Sequence, residues 1–150
     1  VAGRIERIWT KRVRRGPMDA RDRATLVAGR GVEGSADRGG KRQVSILARE
    51  AWEEACARAG APARLDPSAR RANLLVSGLA LEGTRGRVLV AGPCRLRVLG
   101  ELTPCERMDE AWPGLDAALR EGWRGGVFAE VLAGGELGAG DAIAFEPAAG

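Results

Sequence analysis

Arg87-Val88-Leu89-Val90 and Cys94-Arg95-Leu96-Arg97-Val98-Leu99, parted by Gly92-Pro93, decide how this chain is read. The second segment alternates. Cys94, Leu96 and Val98 fall on one face and Arg95, Arg97 and Leu99 on the other, the period of a strand buried on one side. Two such segments joined at a Gly-Pro corner predict an antiparallel pair.

Further strands are predicted on either side of this pair. Arg4-Ile5-Glu6-Arg7-Ile8-Trp9 alternates only in part, with Ile8 out of phase with Ile5, which suits a bulged or edge strand. Ala24–Ala28, Gln43–Leu47, Asn73–Ser77, Val127–Leu132 and Ala142–Phe145 are the other candidates. Gly29–Gly40 is glycine-rich and reads as loop, and Gly134-Gly135 reads as a turn. Arg49–Ala59 has a helical period, with Trp52 and Cys56 on one side and Glu50, Glu53 and Glu54 facing water; Gly60 ends it. Asp66-Pro67 is an N-cap followed by proline at the first helical position, and Pro113–Arg120 is a short helix with Leu115 and Leu119 four apart. Strands and helices do not alternate regularly, which argues against a doubly wound sheet. The expectation is a mainly β chain: one closed or nearly closed β-barrel with a few peripheral helices, a single domain over 1–150 with its core at about 3–146 and a loose tail at the end.

Composition narrows the chemistry. The chain has 150 residues, 45% hydrophobic and 29% charged, with a formal charge of +4, the balance of a globular protein. It contains no His and no Tyr. A Ser-His-Asp or Cys-His pair, a His-ligated zinc and a His general base are therefore excluded. Three cysteines without a CxxC, Cys56, Cys94 and Cys105, disfavour a disulfide scaffold and point to a reducing cytoplasm. No apolar stretch approaches the roughly 20 residues of a membrane helix, and the first residues carry no secretion signal pattern. The first 49 residues hold thirteen Lys and Arg against five Asp and Glu, whereas the remainder holds eleven against fifteen. A basic first third suits an anionic ligand. The run Lys11, Arg12, Arg14, Arg15 lacks interleaved aromatics, so nucleic acid is disfavoured.

Four stretches can carry function. Gly31 to Gln43 combines several glycines with Arg38, Lys41 and Arg42; backbone N–H groups and guanidiniums together suit an anion. It has neither a Walker A ending nor a dinucleotide-binding spacing. Arg70-Arg71-Ala72-Asn73 places adjacent arginines before an apolar strand, which is costly unless they have partners. Glu101 to Asp109 contains Cys105 after Pro104, at a strand end and before a possible helix. A thiol at a helix start is favoured as thiolate, whereas Cys56 and Cys94 occupy core-like positions. Gly134 to Asp141 reads as a glycine-rich hairpin with Asp141 holding a turn.

The order of Gly31–Gly34, Arg42-Gln43-Val44, Arg71-Ala72-Asn73-Leu74, Pro104-Cys105 and Gly134-Gly135 through Gly140-Asp141 resembles the MOSC domain family, which occurs at the C-terminus of molybdenum cofactor sulfurases and as short stand-alone bacterial proteins. The resemblance implies a β-barrel, a molybdopterin-type cofactor and sulfur chemistry for molybdoenzyme maturation. It implies Cys105 as the carrier of a persulfide or a molybdenum ligand, with Arg38, Arg42 and Arg71 on the pterin phosphate. Gly34, Asp37, Lys41 and Asn73 complete the expected cofactor-binding set. A cysteine desulfurase or a molybdoenzyme is the implied partner, and a sulfur transferase the implied activity. A non-catalytic anion-binding module and a component of a molybdenum-dependent oxidoreductase are the alternatives. Many members carry a Gly-Asp-x-His run where this chain has Gly34-Ser35-Ala36-Asp37. Larger relatives use pyridoxal phosphate in a separate domain, and nothing here resembles that domain.

Overall fold

The alternation of the Cys94 segment builds the wall of a barrel. In the computed structural model, which describes residues 2–36 and 40–147, it forms a strand over Cys94–Glu101 whose side chains are buried and exposed in turn. Numbered along the chain, the strands are β1 (Gly3–Thr10), β2 (Asp19–Arg21), β3 (Arg23–Val27), β4 (Gly31–Val32), β5 (Val44–Ala48), β6 (Leu74–Ser77), β7 (Val88–Ala91), β8 (Cys94–Glu101), β9 (Val127–Ala133), β10 (Gly135–Gly138) and β11 (Ala142–Phe145). The helices are α1 (Arg49–Ala59), α2 (Met108–Ala111) and α3 (Leu115–Arg120), with 3-10 turns at Pro67–Arg70 and Glu121–Trp123.

Seven strands close on themselves in the order β1, β6, β5, β9, β8, β7, β11 and back to β1. Every pair is antiparallel except β5 with β6. That parallel pair needs a crossover, and α1 supplies it. β2 extends the sheet beyond β1, and β3, β4 and β10 form a small second sheet. The barrel interior is apolar: Ile5, Ile46, Leu74, Leu89, Leu96 and Val98 meet there, all buried. A second core lies outside the wall, where Trp9, Leu47 and Leu75 pack under α1 and α3 through Trp52, Leu115 and Leu119.

The irregular phase of the first strand has its expected cause. A bulge between Ile5 and Arg7 lets both Ile5 and Ile8 face the interior, and Trp9 then points outward. α1 runs over the expected residues and ends in left-handed Gly60. Asp66 caps its 3-10 turn by accepting from the Ser68 N–H. Two glycine readings need correction. Gly31-Val32 lies within the stretch expected to be loop, yet it pairs as β4 with Leu26-Val27. Gly134-Gly135 is not a tight turn: Gly135 opens β10, which pairs with β3. In both places glycine is required because two backbones cross. A Cβ on Gly31 would collide with the Gln43 carbonyl, and one on Gly134 with the Leu26 carbonyl. Asp141 does hold a turn, its carboxylate accepting from the Gly138 N–H at 2.8 Å. The expected tail falls largely in residues 148–150, outside the described residues. No helix among the described residues is long and apolar enough to cross a membrane.

The two faces of β8 should respond differently to truncation. Leu96→Ala opens a cavity in the barrel and should cost about 2–5 kcal/mol in urea unfolding. Arg97, whose ion pair with Glu130 is solvent-exposed, should cost less than about 1 kcal/mol as Arg97→Ala.

Candidate functional site

Beyond β8 the chain leaves the barrel, and its turn is fixed by two arginines. The Leu102 N–H donates to the Gly126 carbonyl at 2.8 Å. Arg70, 8% exposed, donates from Nη2 to the Leu102 carbonyl at 2.6 Å and from Nε to the Gly125 carbonyl at 2.9 Å. Arg120 donates from Nη2 to the Pro104 carbonyl at 2.9 Å and is itself held by Asp116 at 3.0 Å. Gly125 must be small, since a Cβ there would lie 2.8 Å from the Leu102 oxygen and 3.1 Å from Arg70 Nη2. Pro104 is buried and Cys105 exposed. The Cys105 carbonyl then accepts from the N–H of Met108, which is anchored in the outer core.

The 3-10 turn places Arg70 there. Arg71 closes the turn in the left-handed region at φ +66, its N–H bonded to the Ser68 carbonyl. The two adjacent arginines then have different partners: Arg71 donates to the Gly16 carbonyl at 2.6 Å. Burial pushes the Arg70 guanidinium down to about 10; Cys105 opposes that fall, Arg42 adds to it and Asp116 opposes it. Arg70, Arg42, Cys105 and Asp116 thus share one electrostatic neighbourhood. Charged at neutral pH, Arg70 is a cation set in the protein with its N–H groups spent on carbonyls rather than on a carboxylate.

The other expected site residues lie as follows. Arg42 is exposed, with its guanidinium 5.6 Å from the centre of the Phe128 ring. Lys41, its neighbour, is exposed as well. Asn73 is committed to the frame: its Nδ2 donates to the Trp9 carbonyl at 3.2 Å, and its Oδ1 accepts from Ser45 N and Oγ at 3.0 and 3.1 Å. It knits the ends of β1, β6 and β5 together. Gly34, at φ +81, sits elsewhere, on the wall of an open cleft of about 350 Å³ shared with Thr10, Arg21, Arg23 and Glu136. Asp37 and Arg38 lie outside the described residues. The helix after Cys105 is a single turn, Met108–Ala111, with Arg107 before it. It offers far less dipole than the sequence reading supposed. Asp109, at the end of the same stretch, accepts from the Asp116 N–H at 3.0 Å, near the start of α3.

Gly125 carries no site signal in the sequence, and Arg70 enters only as one of the Arg70-Arg71 pair. The signal for Arg70 was the cost of paired arginines before an apolar strand, and it did not say which of the two is buried. Among the described residues, no three of Cys, Asp and Glu gather to hold a metal ion. Cys105 is the only exposed thiol, whereas Cys56 and Cys94 are buried.

With this geometry, the comparisons with known proteins agree. The MOSC domain family matches residues 27–144, and the chain belongs to that family. Among solved structures, YuaD from Bacillus subtilis superposes with a TM-score of 0.82 at 22% identity, covering 95% of this chain and 94% of that chain. YiiM from Escherichia coli superposes at 0.78 and 18% identity, covering 99% and 71%. YiiM from Geobacillus stearothermophilus gives 0.77 and 17%, covering 97% and 75%. These identities establish a shared fold. Among curated proteins no sequence match was found.

The thiols should be distinguishable in solution. Burial pushes the Cys56 thiol up, with Glu53 adding to it, and burial together with Asp141 pushes Cys94 up. Iodoacetamide at pH 7.5 should therefore alkylate Cys105 first in the native protein, followed by peptide mapping. Cys56 and Cys94 should react only after unfolding.

Proposed function

We propose that this chain binds a molybdopterin-type cofactor and carries sulfur on Cys105 for a molybdoenzyme. The proposed unit spans about residues 3–146. The observation that carries the reading is the exposed Cys105 thiol, held on a fixed turn beside the buried Arg70 guanidinium. The donor set suits such a group. One exposed thiol can supply a soft sulfur ligand, and the exposed Lys41 and Arg42 suit a phosphate-bearing ligand.

Each residue then has a role. Arg42 and Lys41, both exposed, hold the phosphate, and Phe128 supports the Arg42 guanidinium by a cation–π contact. Arg70 and Arg120 position the Cys105 turn through the Leu102 and Pro104 carbonyls. Arg71 and Asn73 keep the surrounding segments in place. Asp37 and Arg38 complete the proposed cofactor-binding set through the glycine-rich loop, whereas Gly34 lines a separate cleft and is left out of it. When bound, the molybdenum centre supplies redox chemistry and a place for the transferred sulfur. In the loading step the Cys105 thiolate attacks the outer sulfur of a donor persulfide. An S–S bond forms on Cys105, the donor's S–S bond breaks, and the donor leaves as its thiolate. Three free thiols suit work in a reducing cytoplasm.

Protein purified from a host that makes the cofactor tests this reading by intact mass and ultraviolet–visible spectra. The expected result is a bound pterin, or a +32 Da adduct that a reductant removes (one sulfur atom). Cys105→Ser should lose the adduct while its thermal unfolding stays unchanged. Arg42→Ala should weaken pterin retention by about tenfold, or 1.4 kcal/mol. A wild-type chain with neither pterin nor adduct, or a serine variant that still acquires the adduct, would contradict the proposal.

A further inference from the structure

Three segments leave the barrel at one end. Ile8, Leu74 and Ile46 lie side by side across β1, β6 and β5. The residues following β1 and those preceding β6 and β5 therefore share a rim. They are 11–15, 70–71 and 41–42, and all three segments are basic. Elsewhere on the wall arginine meets carboxylate, as in Arg95 with Glu146 at 2.7 Å, Arg97 with Glu130 at 3.3 Å and Arg7 with Asp66 at 2.6 Å. At this end Arg12 meets Asp19 at 3.1 Å. Arg14, Arg15, Lys41 and Arg42 have no carboxylate partner among the described residues.

Between Arg12 and Arg14 stands Val13. It is 61% exposed, the one large hydrophobic residue left exposed among the described residues. The loop that carries it is tied down. The Gly16 N–H donates to the Val13 carbonyl at 2.9 Å, the Ala36 N–H donates to the Lys11 carbonyl at 2.7 Å, and Arg71 holds the Gly16 carbonyl at 2.6 Å. Arg71 adjoins Arg70, which holds the Cys105 turn, so the loop and the thiol hang on neighbouring residues. An apolar tip followed by two arginines without a carboxylate partner among the described residues, on an ordered platform, has the makeup of a protein-binding surface. The ordering entropy of the loop is already spent.

We propose that the 11–15 loop, with Val13 at its tip, docks the acidic face of a protein that delivers sulfur to Cys105. The proposal rests on the sulfur-carrier reading above and adds the partner's chemistry: a persulfide-bearing protein with a carboxylate-rimmed apolar notch. Sulfur exchange needs the two sulfur atoms in contact, so the donor's surface must settle beside Cys105, and the unmatched cations steer that encounter. Nucleic acid fits less well. The loop has no aromatic side chain to stack on a base, and a phosphate backbone gives Val13 nothing to bury against.

Loading from two donors tests the proposal. One donor is a purified cysteine desulfurase supplied with 35S-labelled cysteine; the other is glutathione persulfide. The variants are the double substitution Arg14→Glu with Arg15→Glu and, separately, Val13→Asp. The expected result is a tenfold or larger loss of the loading rate from the desulfurase in both variants at low salt, the arginine variant's deficit narrowing as salt is added, with loading from glutathione persulfide at the wild-type rate. Equal loss with both donors, or no loss with either, overturns the docking surface and leaves the carrier reading standing. So does a wild-type chain that accepts sulfur from the small persulfide and never from the protein. A wild-type chain that loads from neither donor overturns the carrier reading and the docking surface with it. Binding of a 20-nucleotide single strand in the same buffer, lost in both variants, assigns the loop to nucleic acid and also overturns the proposal.

Discussion

The site depends on one buried cation. Arg70 sits under the surface with its guanidinium bonded to two carbonyls, Leu102 and Gly125. Burying a charge without a carboxylate partner is expensive; two charge-assisted hydrogen bonds, each worth about 1.5–3 kcal/mol, offset much of the cost. The rest of the arrangement follows from that choice. Gly125 has no side chain because Arg70 passes over it. Leu102 cannot move while its carbonyl is held, and Arg120 fixes Pro104 one step on. Cys105 is left exposed at the end of a rigid segment. Arg70 lies in its electrostatic neighbourhood, and Asp109, four residues on, accepts from the Asp116 N–H.

The barrel makes this possible by gathering distant segments at one end. The parallel β5–β6 pair brings the start of both strands to the rim where β1 finishes. Asn73 then fastens the three together with hydrogen bonds to Ser45 and Trp9. Outside the wall, the second core under α1 and α3 gives the Cys105 turn its footing through Met108. Packing and chemistry are separated: apolar side chains fill the barrel, and charged groups lie on its outer wall and at its rim.

Local features were legible in the sequence. The alternation of Cys94–Leu99 became β8, the Trp52 and Cys56 face became the buried side of α1, and the Asp66-Pro67 cap started its turn as expected. The misplaced Ile8 announced a bulge, and the three cysteines divided as their contexts implied. What stayed hidden was set by distant partners. Gly31-Val32 and Gly135–Gly138 read as loop and turn because glycine weakens the strand signal, yet each pairs with β3. Which of Arg70 and Arg71 is buried was decided by a left-handed backbone at Arg71, a conformation that its side chain does not advertise. The carbonyls that Arg70 binds belong to residues 32 and 55 positions away, beyond any local pattern.

Whether Arg70 holds Cys105 ready to react is measured by one rate. The alkylation of Cys105 by iodoacetamide at pH 7.5 is compared between the wild-type chain and Arg70→Met, with protection of Cys56 and Cys94 as the internal check that the barrel is intact. At least a tenfold slower reaction at Cys105 is expected, with the buried thiols still protected. A methionine variant whose Cys105 reacts as fast as the wild type, in an equally protected fold, would contradict that expectation.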